Sequence, residues 1–168
     1  MTYPMDSYRN RVPRLDFPIR LDVGAGNYPQ PGNWIRLDAD PCNGQTHIVW
    51  DIKKGIPLPD GCSSEIYTSH CLEHFWPTDV HLILQEMWRV AAPDATITIK
   101  VPHGDTPAGR LPCHYSFWNE AAMQAIGDWF PNPGRADYNG NYWNLQRIWR
   151  EEPYHLLGLF EIVKGKAL

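Results

Sequence analysis

The chain has 168 residues, of which 43% are hydrophobic and 20% are charged, values typical of a single globular domain covering residues 1–168. The formal net charge of −4 gives no electrostatic attraction to nucleic acid or to an anionic membrane. No window approaches the ~18 apolar residues of a membrane-spanning helix, and the start lacks the apolar segment of a signal peptide. We therefore expect a soluble, cytoplasmic domain with neither membrane nor nucleic acid as a partner. Its four cysteines form no Cys-x-x-Cys pair, so we expect free thiols.

Residues 1–17 mix proline, arginine and aspartate without a period and predict an N-terminal arm. The first strand, Ile19 to Val23, follows and runs into the sequence LDVGAG, which ends in a Gly-x-Gly turn at Gly26. Such a turn at the carboxyl end of a parallel strand lets the backbone approach a cofactor closely. Pro29 occupies the position of a third glycine, and Pro31 follows it, which leaves little room for the helix that a pyrophosphate needs. The turn therefore favours a nucleoside ligand without phosphate and disfavours a nicotinamide dinucleotide.

Two acids follow the second predicted strand, Trp34 to Leu37. An acid at this point is placed to accept hydrogen bonds from a ribose diol. Asp38 and Asp40 point to the same side by alternation, so either could do so, and Asp38 is favoured because it is nearer the strand. The third strand, His47 to Trp50, ends at Asp51, which could contact a ligand or simply cap the following turn.

A short fourth strand, Ile66 to Ser69, precedes the clearest helix of the sequence. Thr78 is its predicted N-cap and Pro93 its predicted end. The apolar residues in between follow the period of an amphipathic helix: Val80, Ile83, Leu84, Met87, Trp88 and Ala91.

The fifth strand, Thr96 to Val101, alternates apolar and polar residues. A helix is predicted over Phe117 to Ile126, and two closing strands over Trp143 to Trp149 and Leu159 to Val163. Alternating strands and helices imply a mostly parallel, doubly wound α/β sheet with ligands at the carboxyl ends of its strands.

Four stretches together resemble the class I S-adenosylmethionine-dependent methyltransferases, and within them the small enzymes that act on varied acceptors. The stretches are LDVGAG at Leu21, WIRLDADP at Trp34, IPLPDGCSSEIYTSHCLEHF at Ile56 and LQEMWRVAAPDATITIKVP at Leu84. The resemblance implies a Rossmann-like methyltransferase fold, with S-adenosylmethionine as cofactor and a small-molecule methyl acceptor. It covers residues 19–102 as a cofactor-binding core, which leaves 103–168 as an acceptor-side and closing segment. Two departures are the missing third glycine with its shortened first helix, and Asp94-Ala95 in place of a glycine pair.

The resemblance also implies the roles of the site residues. Gly24 and Gly26 would allow close approach, Asp22 would lie near the methionine amino group, and Asp38 would bind the ribose. Asp51 would meet the adenine amine, and Ser69 would lie at the mouth of the site.

The residues after the fourth strand and those after the fifth leave alternatives open. His70 is a candidate general base, or its loop contributes backbone contacts only. It also resembles a metal cluster together with Cys71, Glu73 and His74, but no second pair of ligands follows and no metal is expected. His103, Asp105, His114 and Tyr115 could line an acceptor pocket or lie on a surface loop.

The aromatic run over residues 129–149 could stack on an acceptor, although packing against the core is favoured. Two other functions stay open: a non-catalytic module on the same fold and, less favoured, a nicotinamide-dependent oxidoreductase. The sequence names neither the acceptor nor the oligomeric state.

Overall fold

The structure is a computed structural model and describes residues 15–129 and 142–164. Most of the predicted arm and residues 130–141 of the aromatic run lie outside these ranges. One sheet of seven strands contains β1 (Ile19–Val23), β2 (Ile35–Asp38), β3 (Ile48–Val49), β4 (Ser63–Ser69), β5 (Ala91–Pro102), β6 (Tyr142–Glu151) and β7 (His155–Val163). Helix α1 (Pro77–Val90) connects β4 to β5, and α2 (Glu120–Trp129) follows β5. Neither α1 nor α2 is long and apolar enough to cross a membrane.

The strand order is β3-β2-β1-β4-β5-β7-β6. Strands β1 to β5 pair in parallel, whereas β7 runs antiparallel to both β5 and β6. The order reverses between β1 and β4, and in open α/β sheets a ligand binds in the crevice at such a reversal. The prediction of a mostly parallel Rossmann-like sheet is confirmed, and the glycine turn after β1 lies at the reversal.

One face of the sheet is apolar. The cross-strand partners Ile66, Ile97 and Phe160 form one row of this face and are fully buried. Met87 of α1 and Met123 of α2 are fully buried in the same cluster. Each such side chain contributes about 1.5–3 kcal/mol through burial, so this face anchors both helices.

The opposite face is polar. Its central row consists of the cross-strand partners Arg20, Glu65, Thr96, Glu161 and Asn144. Arg20 Nε donates to Glu65 Oε2 at 2.7 Å, and Asn144 Nδ2 donates to Glu161 Oε2 at 3.1 Å. The connection from β1 to β2 contains no helix, which confirms the expected shortening of the first helix. Because no helix there covers the polar face, the side chains of its central row are exposed or half-buried.

The start of α1 differs from the prediction. Thr78 is not the N-cap, because the helix begins at Pro77, two residues earlier than predicted, and Trp76 holds the cap position without a side-chain hydrogen bond. Proline suits the first helical position, since its fixed φ is already helical and it has no N–H to satisfy. The helix ends at Val90, before Pro93, because Ala91 already pairs with Ser63 in the sheet.

Helix α2 starts at Glu120, three residues later than predicted. The reason is a tertiary contact, in which Trp118 forms a bridge to His103 and its carbonyl accepts a 2.6 Å hydrogen bond from Gly104 N. The two predicted closing strands are confirmed as β6 and β7, and the third strand is shorter than predicted.

Hydrogen bonds tie the third and fourth stretches of the family resemblance together. Arg89 of α1 donates to the carbonyls of Ile56 and Leu58 at 2.7 and 2.9 Å, and Ile56 N donates to Glu86 Oε2 at 2.8 Å. Arg89 also pairs with Glu86 and with Asp60, which raises its pKa above the usual value. Burial opposes ionisation of Glu86, but the hydrogen bonds from Arg89 outweigh it and lower the Glu86 pKa. Glu86 and Arg89 of the Glu-x-x-Arg pattern thus hold the loop at residues 56–60, before β4, against α1.

Candidate functional site

The two glycines of the turn after β1 are needed for different structural reasons. Both have left-handed backbones, with φ of +69° at Gly24 and +52° at Gly26, which glycine adopts without strain. A Cβ on Gly24 would lie 2.6 Å from the Cβ of Cys71, so Gly24 is required for packing against the turn after β4. A Cβ on Gly26 would meet nothing nearer than Gly24 O at 4.0 Å. Gly26 is therefore the position where the backbone borders open space.

Asp38 lies beside that open space. Gly26 N donates to Asp38 Oδ2 at 2.9 Å, and Asp40 N donates to Asp38 Oδ1 at 2.9 Å. A carboxylate has about four acceptor positions, so the half-buried Asp38 can still accept from a diol. Asp40 instead accepts from Cys42 N at 2.7 Å and is exposed. Asp38, and not Asp40, is therefore the acid bonded to the glycine turn, and ribose binding stays a prediction.

Asp22 is 2% exposed and organises the loop that replaces the first helix. Its Oδ2 accepts a 2.8 Å hydrogen bond from Gln30 N, which holds the loop between β1 and β2 against the end of β1. Burial raises the pKa of Asp22 above its usual value. Contact between this carboxylate and a methionine amino group stays a prediction.

The other two predicted cofactor residues lie two residues after β3 and at the last residue of β4. Asp51 caps the 3-10 turn Ile52–Lys54, where its Oδ1 accepts from Lys53 N at 3.1 Å. This is the capping alternative weighed above, and an adenine contact stays a prediction. Ser69 is half-buried at the end of β4, where it pairs with Lys100.

His70 follows directly and has a left-handed backbone with φ of +51°. Its amide donates to Lys100 O at 3.0 Å, and its ring packs edge-on against His155 at 4.9 Å. Its Nδ1 lies 3.2 Å from Oε1 of Glu73, whose side chain is 1% exposed. A left-handed backbone is uncommon at a non-glycine residue, and Cys42, Asn43 and Asp94 are the other described non-glycine residues that adopt it.

The sequence grouped Glu73 with His70 only as part of a candidate metal cluster and did not predict their contact as a pair. The Glu73 carboxylate lies at ion-pair distance from the imidazole but is not aligned as a hydrogen bond, and neither oxygen has a hydrogen-bond partner in the described ranges. A buried carboxylate beside the exposed imidazole therefore belongs to the surroundings of His70, and a role of His70 as general base stays a prediction. The i, i+3 spacing of His70 and Glu73 was the signal in the sequence.

The four residues predicted to line an acceptor pocket differ in exposure: two are buried and two are exposed. His103 is 2% exposed, and its Nδ1 accepts a hydrogen bond from Asp105 N. Its Nε2 lies 3.1 Å from Glu120 Oε2 and 2.8 Å from Arg150 Nη2. Asp105 and Tyr115 are exposed, and His114 is buried. His103 therefore contacts the first residue of α2, and an acceptor pocket lined by these four residues stays a prediction.

A cleft of about 470 Å³ opens on the same loop. It is lined by Gly104, Asp105, Arg110, Phe117, Trp118 and Asn119. Its volume falls in the range that small-molecule sites occupy.

No protein-family model and no curated protein matches the sequence. Solved structures do match it. One is a SAM-dependent methyltransferase from Aquifex aeolicus, with 16% identity and a TM-score of 0.62 over 96% of this chain and 90% of that one. A second is the 1,6-didemethyltoxoflavin-N1-methyltransferase of Burkholderia thailandensis, solved with S-adenosylhomocysteine, with 16% identity and a TM-score of 0.63 over 95% and 75%.

A third similar structure is the 16S rRNA (adenine(1408)-N(1))-methyltransferase of Catenulisporales acidiphilia, with 12% identity and a TM-score of 0.59 over 99% of this chain and 95% of that one. Identities this low establish the fold alone. The chain therefore has the Rossmann-like fold of these S-adenosylmethionine-dependent methyltransferases, in agreement with the expectation from its sequence.

Proposed function

We propose that the protein transfers a methyl group from S-adenosylmethionine to a small-molecule acceptor. The observation that carries the proposal is the unit formed by Gly26 and Asp38 at the sheet reversal, where open space lies beside a carboxylate that can still accept hydrogen bonds. The shared fold of the methyltransferases supports it, and the absence of a helix after the glycine turn disfavours a dinucleotide.

The residues fit this cofactor. Gly26 would let an uncharged nucleoside approach the backbone, Asp38 would bind the ribose, and Asp22 would lie on the methionine side. Asp51 and Ser69 would complete the adenine side and the mouth. When bound, S-adenosylmethionine supplies a methyl group on a sulfonium that carries its own activation, so positioning is the main task of the protein.

The chain itself would supply proton transfer. The Nε2 of His70 would accept a proton from an acceptor hydroxyl or amine, while Glu73 stabilises the resulting imidazolium. The 3.2 Å separation of Nδ1 and Oε1 and the burial of Glu73 support this assignment. Glu73 would act as a positioning residue because it reaches the acceptor only through His70.

A small acceptor agrees with the net charge of −4, which does not attract RNA. The Burkholderia neighbour methylates a small molecule, whereas the Catenulisporales neighbour acts on ribosomal RNA. We favour the small molecule and a cytoplasmic location for the reaction.

The test is transfer of labelled methyl to a library of small hydroxyl, amine and acid acceptors, with total RNA as a separate arm. We expect turnover with at least one small acceptor and none with RNA. His70→Gln should then lower kcat by roughly 10²-fold or more, the usual contribution of a general base, with unchanged affinity for S-adenosylhomocysteine. His81→Gln on α1 is the matched control and should keep full activity.

Three outcomes would contradict parts of the proposal. Turnover confined to RNA would overturn the acceptor class. Cofactor binding without turnover in any arm would favour the non-catalytic module. Full activity in His70→Gln would leave the His70 loop with backbone contacts only.

A further inference from the structure

A second group of potential ligands lies beside the proposed base but does not include it. His74, Cys113 and His114 each offer one nitrogen or sulfur atom, and these atoms lie within 4.8 Å of one another. Cys113 is an exposed free thiol, and His114 is 8% exposed. We propose that His74, Cys113 and His114 bind one divalent transition-metal ion, with zinc as the expected occupant.

Each of the two imidazoles has a nitrogen without a hydrogen-bond partner among the residues that the structure describes. Nδ1 of His74 lies 3.2 Å from the carbonyl of Cys113, so Nδ1 carries the proton and Nε2 is free. The Nδ1 of His114 is buried without a hydrogen-bond partner in the described ranges, so it can bind a metal. Metal-binding histidines usually donate their second N–H to a backbone carbonyl or a carboxylate, as Nδ1 of His74 does here.

The buried Nδ1 of His114 lacks a hydrogen-bond partner in the described ranges, and packing of the three side chains alone does not account for this. A buried polar atom without a hydrogen bond costs about 1–3 kcal/mol, and native proteins retain few of them. A metal ion would satisfy this nitrogen.

The backbone around the cluster is already fixed. Tyr115 N donates to Glu73 O at 2.8 Å, and Ser116 Oγ donates to Leu72 O at 3.0 Å. The ring of Tyr115 also stacks on that of Trp76 at 4.8 Å. These contacts hold the loop after β5 against the turn after β4, so the ligands come from two segments that are positioned without the metal.

The donor set selects the ion. Two imidazoles and one thiolate suit zinc, which takes four tetrahedral ligands and often keeps one position for water. Ligand atoms on such an ion lie roughly 3.3–3.7 Å apart, given bond lengths of about 2.0–2.3 Å. The widest pair must therefore close by roughly 1 Å, which rotation of the exposed His74 and Cys113 side chains allows. Binding would release the thiol proton of Cys113 and join the two loops.

This set differs from the metal cluster that the sequence suggested. That cluster combined His70 and Cys71 with Glu73 and His74, but Cys71 is buried against Gly24 and Glu73 faces His70. Only His74 is common to both.

The experiment titrates Zn²⁺ into the chelator-treated, reduced full chain by calorimetry and repeats the titration with Co²⁺ in a spectrophotometer. We expect one ion per chain, with a thiolate-to-Co²⁺ charge-transfer band in the near ultraviolet and intense visible bands of tetrahedral cobalt. Cys113→Ser and His114→Gln should each weaken zinc binding by about 100-fold or more and remove or shift these bands. His70→Gln and His81→Gln are the matched histidine controls and should bind as the parent does.

Circular dichroism without metal confirms that each variant folds. The absence of stoichiometric zinc binding in the folded parent would overturn the proposal, as would unchanged affinity in Cys113→Ser and His114→Gln. Loss of binding in His70→Gln with retention in Cys113→Ser would instead support the cluster around His70 and overturn this one. Binding of S-adenosylhomocysteine to the metal-free chain is measured in parallel, so failure of the metal site is separate from failure of the proposed function.

Discussion

The backbone amide of Gly26 donates a 2.9 Å hydrogen bond to Oδ2 of Asp38. The bond joins the glycine turn after β1 to the acid at the end of β2, although 12 residues separate them in sequence. The turn and the acid are therefore one preorganised unit, and each can be tested through the other.

Replacement of Asp38 by alanine should weaken binding of S-adenosylhomocysteine by about 1–3 kcal/mol, because ribose hydroxyls would lose their acceptor and Gly26 N its partner. Calorimetry on the folded variant measures this loss. Asp40→Ala is the matched control and should change the affinity by less than about 0.5 kcal/mol, since Asp40 is exposed and faces Cys42 N. The reverse result would transfer the ribose role to Asp40.

Alanine at the two turn glycines should give opposite profiles. Gly24→Ala should cost about 3 kcal/mol or more in the free energy of unfolding, because its Cβ would overlap Cys71 in addition to the strain of a positive φ. Gly26→Ala should cost only the strain, about 1–2 kcal/mol, because its Cβ meets open space. Gly26→Ala should nevertheless weaken cofactor binding at least about tenfold, since the methyl group occupies the ligand's approach.

Urea unfolding and calorimetry on the two glycine variants separate these effects. Equal destabilisation of both would contradict the packing role of Gly24. Normal cofactor affinity in Gly26→Ala would contradict close approach at that residue.

Arg89→Lys should destabilise the fold by about 2 kcal/mol, although the charge is retained. A lysine ammonium cannot reproduce the fork that reaches the carbonyls of Ile56 and Leu58 while pairing with Glu86 and Asp60. Arg110→Lys provides the control because Arg110 is exposed, and its free energy of unfolding should stay within about 0.5 kcal/mol of the parent. Similar stability of the two variants in urea would show that the hydrogen bonds and ion pairs of Arg89 are not needed for stability.

The stability contribution of Glu120 should depend on pH. Hydrogen bonds from its own backbone amide and from His103, together with Arg150, lower its pKa from 4.5 to about 2. A lowered carboxyl pKa stabilises the folded state above the unfolded value of 4.5, and the contribution is lost as the pH falls toward about 2.

Glu120→Gln should accordingly lose about 1 kcal/mol at pH 7, a modest value because the half-exposed side chain is screened by water. The difference between variant and parent should shrink below pH 4.5, as followed by urea unfolding at several pH values. A difference that grows on acidification would contradict this assignment.

The sequence predicted what depends on local pattern and failed where distant segments meet. Alternation identified β5 and periodicity identified α1, because both follow from which face is buried. The start of α2 was misplaced because a contact between Trp118 and His103 holds the preceding residues out of the helix.

In the candidate site, too, the sequence predicted local features and missed contacts between distant segments. Gly26 and Asp38 were recognisable because a glycine turn and an acid each follow a strand. The dependence of Gly24 on Cys71, and the grouping of His74 with Cys113 and His114, arise from loops that meet only in the folded chain. Glu73 was visible at i, i+3 from His70, but its burial was not.

The most direct test of the account is calorimetric titration of the folded protein with S-adenosylhomocysteine, with NAD as the comparison ligand. The account predicts one site per chain with a dissociation constant in the micromolar range or tighter, and no heat of binding with NAD. Absence of S-adenosylhomocysteine binding at millimolar ligand, or binding of NAD in its place, would contradict it.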